Sequence, residues 1–209
     1  MKTFLFQGDS ITDANRDDEN EDNFGLGCGY ALLFASDFSR KHKGEFKFIN
    51  RGKNGDRITD IYARIKEDII NLKPDYMSIL IGVNDVSHEL TQGCGVLPDK
   101  FKKIYCMLIE EVKEALPEIK IIILEPFVLK GLHTTERWDE FSGEVEKQAE
   151  VSKRVAEKYG LKFVALQTIF DEVSADGNTR YWSVDGIHPT AAGHQIIKEE
   201  LSKAVEVLL

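Results

Sequence analysis

The run Ile121-Ile122-Ile123-Leu124 shows no apolar–polar alternation, and Ser78-Ile79-Leu80-Ile81 departs from alternation nearly as far. A strand with one face in water alternates, whereas a strand covered on both faces reads as a near-continuous apolar run. These two stretches are therefore expected to be central strands of a parallel sheet. Working outward, the strands predicted are residues 2–7, 46–50, 76–81, 119–125 and 162–166, and amphipathic helical patterns lie at 29–42, 58–72, 98–116, 138–159 and 190–208. Pro74, Pro117 and Gly160 punctuate three of the helix-to-strand transitions, as residues that end or follow helices should. Alternation of strands with helices predicts an α/β fold class: a three-layer α/β/α arrangement around a five-stranded parallel sheet.

Size and composition narrow the rest. At 209 residues and 42% hydrophobic content, one domain spanning 1–209 with a single core is expected. Thirty-six acidic against 27 basic residues give a formal charge of −9, and no basic block offers a footprint for phosphate backbones, so nucleic acid and anionic membrane are excluded as partners. No run reaches transmembrane length, and Met1-Lys2-Thr3 leads straight into a strand without an apolar leader; a cytoplasmic location is expected. Cys28, Cys94 and Cys106 are odd in number and lack metal or redox spacing, which predicts reduced thiols. The polar stretch from Asn15 to Asn23 reads as a mobile surface loop, its acidic residues lacking the spacing of an EF-hand calcium site.

In a sheet of this kind ligands bind beyond the carboxyl ends of the strands. After the first strand comes Gly8-Asp9-Ser10-Ile11-Thr12-Asp13, where glycine permits a tight turn and the serine hydroxyl can project upward. As a bare sequence this stretch could equally cap a helix, since Ser, Thr and Asp are all good caps. After the second strand, Gly52 and Gly55 stand three apart in Asn50 to Arg57, where a backbone N–H could face a developing oxyanion or the segment could be a plain turn. After the third, Gly82-Val83-Asn84-Asp85 reads as a loop whose asparagine amide can donate to the same oxyanion while Asp85 ties down backbone N–H groups.

Near the other end of the chain, Asp185-Gly186-Ile187-His188 supplies an acid and a base three residues apart, with Pro189 and the start of the last helix holding His188 on a constrained loop. An aspartate that accepts Nδ1–H leaves Nε2 free to take a serine proton, which is the requirement of serine-based acyl transfer. The five histidines (42, 88, 133, 188 and 194) show no zinc-ligand spacing, and no cofactor or metal is expected.

Taken together these blocks resemble the SGNH hydrolases, the superfamily of GDSL-type lipases and esterases, over nearly the whole chain and in the family's order. The resemblance implies a flavodoxin-like SGNH fold, Ser10 as nucleophile and oxyanion donor through its own N–H, Gly55 and Asn84 as the other two donors, His188 as base and Asp185 as its orienting acid. Ile11 is a mild departure, since leucine often follows the serine, and Asp9 is assigned a structural role. A closer resemblance, to bacterial serine acetylxylan esterases, is carried by Gly8 to Asp13, Phe24-Gly25-Leu26-Gly27-Cys28-Gly29-Tyr30, Asn50-Arg51-Gly52 with Gly55, Lys73-Pro74-Asp75 and Ile81 to Val86. It implies a cytoplasmic esterase removing acetyl groups from xylan fragments, its substrate a small-molecule or oligosaccharide ester. Lys53-Asn54 departs from that branch, which commonly has an aliphatic residue and serine there, and Lys53 is placed at the site rim.

Other polar residues carry weaker signals. His194 reads as a packing or surface histidine and His88 as a loop residue; Tyr181 and Trp182 suit either stacking on a sugar or anchoring their loop. Glu125-Pro126-Phe127 and Leu129 to Trp138 are expected to form the pocket wall. Alternatives within the superfamily are a thioesterase or a lysophospholipase; outside enzymes, an inactive carbohydrate-binding relative, against which the full set of five site residues argues. The sequence leaves a homo-oligomer open.

Overall fold

The computed structural model describes residues 1–20 and 23–209, so part of the loop expected over 15–23, at Glu21 and Asp22, lies outside the described residues. Five parallel strands form one sheet in the order β2-β1-β3-β4-β5: β1 (Lys2–Gly8), β2 (Phe46–Asn50), β3 (Tyr76–Leu80), β4 (Lys120–Leu124) and β5 (Lys162–Val164). The chain starts in the middle of the sheet, runs outward to β2, and returns across β1 to β3, which places a reversal of strand order between β1 and β3. Crevices at such reversals are where open α/β sheets bind ligands.

Each strand sends alternate side chains to opposite faces. Phe4, Phe6, Tyr76, Leu80, Ile122 and Leu124 meet one layer, built mainly by α2 (Tyr30–Lys41) and the C-terminal α10 (Ala191–Glu206). Leu5, Met77, Ile79, Ile121 and Ile123 meet the other, built by α3 (Ile58–Ala63) and α6 (Pro98–Ala115) with part of α7 (Trp138–Tyr159). The central strands are thus buried on both faces, as their unbroken apolar runs require. One layer is unusually aromatic, with Phe4, Phe6, Phe34 and Phe48 in mutual ring contact at centroid separations of 4.8–6.3 Å. Among the described residues no helix is long and apolar enough to cross a membrane.

Three differences from the sequence reading bear on the site. Ser10 does not sit on an open loop but begins a single helical turn, α1 (Ser10–Asp13). The helix expected over 58–72 is interrupted: α3 is followed by α4 (Ile65–Asp68) and a 3-10 turn, with the break at Arg64, whose N–H bonds back to Ile61 O at 3.1 Å and whose side chain is shared between Asp56 and Asp68. Most important, the third loop is a helix: Gly82 is the N-cap and Val83, Asn84 and Asp85 form the first turn of α5 (Val83–Gln92). Two further short helices, α8 (Gln167–Val173) and α9 (Thr179–Trp182), stand between β5 and the Asp185–His188 loop.

Candidate active site

Ser10 is delivered by the turn at the end of β1. A Cβ on Gly8 would lie 2.4 Å from the Leu80 carbonyl oxygen and 2.3 Å from Thr12 Oγ1, so glycine is what lets this turn close against β3. Asp9 is the N-cap, its Oδ1 accepting from the Ile11 N–H at 3.0 Å. Burial pushes the Asp9 carboxyl up to about 7, against the opposing effect of that hydrogen bond. The sequence assigned Asp9 a structural part, and its contacts agree.

His188 and Asp185 come from the loop between α9 and α10. The Ser10 hydroxyl donates to His188 Nε2 at 2.8 Å, and His188 Nδ1–H donates to Asp185 Oδ2 at 2.6 Å. The second carboxylate oxygen of Asp185 accepts the backbone N–H groups of Ile187 and His188, each at 2.8 Å, so the acid is oriented by its own loop. Burial works against ionisation of Asp185, but the hydrogen bonds from the His188 ring and from these two N–H groups outweigh it and hold the carboxyl well below the usual range. The same ring hydrogen bond raises the His188 pKa, burial opposing it. A neutral His188 with its proton on Nδ1 and a lone pair on Nε2 pointing at a serine hydroxyl can act as a general base.

Ser183, which the sequence reading passed over, braces this loop. Its hydroxyl donates to the His188 carbonyl at 2.8 Å and accepts the Gly186 N–H at 3.0 Å. The segment after β4 braces it from outside: Leu129, Leu132 and His133 donate their N–H groups to the carbonyls of Gly186, Val184 and Asp185 at 2.8, 3.1 and 2.9 Å. Only residues without a side chain fit at the crossing, since a Cβ on Gly131 would lie 2.1 Å from Gly186 N. Leu129 to His133 therefore clamps the acid–base loop. Trp138 does not share the Ser10 cleft: it lines a separate hollow with Glu125 and Pro126, a correction to the expected pocket wall. Trp138 is the first residue of α7, whose Ser142, Val145 and Glu146 line the same separate hollow.

Gly55 lies in the turn between β2 and α3 at φ +81°, a left-handed conformation that glycine adopts without strain. Asn84 is buried beside it, one amide N–H donating to the Asp56 carbonyl at 3.1 Å, which leaves the other available. The turn is knitted to α1, the helical turn that Ser10 begins. Asn50 donates to the carbonyls of Thr12 and Leu26 at 2.7 and 3.1 Å while accepting from the Gly52 N–H at 2.8 Å, and Asn54 N–H donates to Asp13 Oδ2 at 3.0 Å. Asp85, as expected, ties down backbone, both carboxylate oxygens lying within 3.3 Å of the Ile58 N–H. Burial pushes its carboxyl up to about 8.

The structure thus brings Ser10, Asp185 and His188 into one hydrogen-bonded chain and sets Gly55 and Asn84 on two neighbouring segments. Ser10 and His188 open onto a cleft of about 680 Å³ that also includes Asn54, Cys28 and His194. Lys53 is exposed and does not line this cleft. Neither do Gly55 and Asn84, expected as oxyanion donors, nor His88, half-buried on α5. Trp182 anchors its loop, its indole N–H donating to the Val173 carbonyl at 3.0 Å, and Tyr181 packs edge-on against it with most of its ring in solvent.

The model of the GDSL-like Lipase/Acylhydrolase family matches residues 6–196. An acetylxylan esterase from Geobacillus stearothermophilus is 33% identical over 201 residues, which is 92% of this chain and 89% of that protein. The solved structure of the acetylxylan esterase Axe2 from the same organism superposes with a TM-score of 0.87 at 29% identity, over 98% of this chain and 94% of the other. A GDSL-like lipase structure from Parabacteroides merdae gives a TM-score of 0.93 at 31% identity, over 98% and 95% of the two chains. By sequence and by architecture the chain belongs to the GDSL-like lipase/acylhydrolase family and is a carboxylic ester hydrolase.

Proposed function

We propose that the chain is a serine esterase that removes short acyl groups, acetyl first among them, from carbohydrate esters such as acetylated xylo-oligosaccharides, through an acyl-enzyme. The observation that carries this reading is the unbroken relay from Ser10 Oγ to His188 Nε2 at 2.8 Å and from His188 Nδ1 to Asp185 Oδ2 at 2.6 Å. In the first half-reaction His188 takes the Ser10 proton as Oγ attacks the ester carbonyl, and the protonated ring then gives that proton to the departing alcohol. The Ser10 and Gly55 N–H groups and the free Asn84 amide hydrogen hold the oxyanion. In the second, water gives one proton to the same ring as its oxygen attacks the acyl-enzyme, and Ser10 leaves with that proton as the carboxylic acid is released, which then ionises in solvent.

Two observations support a small acyl group on a hydroxyl-bearing alcohol. Polar Asn54, Asp13 and His194 share the cleft beside Ser10, and the relatives include acetylxylan esterases, among whose structures are catalytic mutants of Axe2 with an aspartate or a serine replaced by alanine. The test is a series of p-nitrophenyl esters of rising acyl length, followed by acetate release from acetylated xylo-oligosaccharides, with Ser10→Ala as the control. Acetyl is expected to give the highest kcat/KM, and Ser10→Ala to abolish turnover with the fold retained. A maximum at octanoyl or longer would overturn the small-acyl reading in favour of a lipase or lysophospholipase, and near-normal turnover by Ser10→Ala would overturn the serine mechanism.

A further inference from the structure

His194 lies in the first turns of α10, six residues after the base, and its ring is buried in the wall of the cleft that holds Ser10 and His188. Its Nδ1 accepts the backbone N–H of Tyr30 at 3.2 Å. That N–H belongs to the first residue of α2, where no intrahelical partner exists, so the imidazole serves as the cap that the glycine at the N-cap position lacks. The seat is tight: a Cβ on Gly29 would lie 2.8 Å from His194 Cε1 and 3.0 Å from Nδ1. The Tyr30 ring lies nearly parallel, its centroid 6.3 Å away.

This seat fixes the tautomer. A neutral imidazole has one proton, and a ring whose Nδ1 accepts must carry that proton on Nε2. Burial first, and the charge of a protonated His188 second, lower the His194 pKa to about 4, so the ring stays neutral throughout the range in which His188 can act as a base. With the Nδ1 edge turned to the Gly29–Tyr30 backbone, the Nε2–H is left for the cleft, and among the described residues it has no partner.

We propose that His194 is a specificity-determining residue, a tautomer-locked donor whose Nε2–H binds a hydroxyl or ether oxygen on the alcohol portion of the ester. The proposal rests on the reading of Ser10, His188 and Asp185 as an esterase site and deepens it by naming the group that recognises the leaving alcohol. A neutral donor suits this place better than a cation, since a positive charge beside His188 would oppose protonation of the base during attack.

The test compares two acetate esters that differ in the alcohol. Glycerol monoacetate presents hydroxyl acceptors and p-nitrophenyl acetate presents none in the corresponding place. In His194→Asn, whose side-chain oxygen can still accept the Tyr30 N–H but whose amide cannot reach the Nε2 position, the kcat/KM ratio of the glycerol ester to the nitrophenyl ester should fall about five- to tenfold, the worth of one neutral hydrogen bond. His194→Gln, which sets an amide nitrogen near the place of Nε2, should recover part of that ratio. NMR of the imidazole nitrogens in the wild-type protein should show the His194 proton on Nε2. An unchanged ratio in an active enzyme, equal losses on both esters, or a ring protonated on Nδ1 would overturn the role of His194 while leaving the esterase reading intact. No hydrolysis of p-nitrophenyl acetate by the wild-type protein would overturn both.

Discussion

The Asn84 amide has two hydrogens and spends one on Asp56 O at 3.1 Å, so the oxyanion role proposed for it rests on the other. Asn84→Ala should lower kcat by roughly 10² to 10³, the usual loss for one oxyanion donor, with a smaller change in KM. Steady-state kinetics on p-nitrophenyl acetate decide this, and an effect confined to KM would make Asn84 a ground-state contact. His188 must be neutral to accept the Ser10 proton, and its pKa is raised by the Asp185 hydrogen bond, so activity should climb with pH through an apparent pKa above the ordinary imidazole value. Asp185→Asn removes the charge that raises it. The residual activity of that variant should be strongly reduced and its acid limb displaced to lower pH; a limb that stayed in place would show that another group sets the profile. Ser10, Asp185 and His188 were legible because each pair relation is local or tied to a strand end. Ser183, Asn50 and His194 were not, because what they do depends on backbone atoms far away in sequence.

At the scale of elements, the strands were read to within one or two residues, since a buried parallel strand writes itself as an apolar run. Helix α5 was read as a loop because Asn84, Asp85, Ser87 and His88 are residues of turns as well as of helix starts, and only the Gly82 N-cap settles which. The helix predicted over 58–72 kept its periodicity, with Ile58, Ile61 and Ile69 all buried, while its backbone broke at Arg64. Periodicity reports the buried face and is blind to a break that preserves it. The β2–α3 turn illustrates a constraint carried by a single glycine: a Cβ on Gly52 would stand 2.4 Å from Asp13 N and 2.7–2.8 Å from Thr12 Cβ and C, mostly backbone that cannot swing aside. Gly52→Ala should therefore push the Gly55 turn away from α1 and Ser10. A loss of about 1–3 kcal/mol in unfolding free energy is expected, together with a fall in kcat. Denaturant unfolding and kinetics on the same preparation test it, and a variant of normal stability and rate would show that the two segments are not in firm contact.

Across the molecule, the buried carboxyls Asp9 and Asp85 oppose Asp185 in their response to pH. Asp85, fully buried in the first turn of α5, and Asp9 beneath Ser10 have pKa values pushed up by burial to about 8 and about 7. In the unfolded chain both would titrate in the usual carboxylate range, so between that range and pH 8 the native state holds more protons than the unfolded state, and stability falls as pH rises. The raised pKa of His188 acts in the same direction, its contribution being lost as pH passes through the folded value. Asp185 and His194 act oppositely: the lowered pKa of Asp185 stabilises above the usual carboxylate range and is lost in acid, and burial of His194, which lowers its pKa to about 4, makes stability rise with pH up to the ordinary imidazole value and so offsets part of the fall from the buried carboxyls there. The fold is then most stable on the acid side of neutrality, whereas a neutral His188 requires higher pH, and the enzyme works where its stability is already declining. Asp85→Asn isolates the largest of these effects, because an amide is neutral at every pH and retains an oxygen to accept the Ile58 N–H. Urea unfolding at intervals from pH 5 to pH 8 should show the wild-type stability dropping along the series and the Asp85→Asn variant dropping less. A variant whose stability fell as steeply as the wild type would place the proton uptake elsewhere.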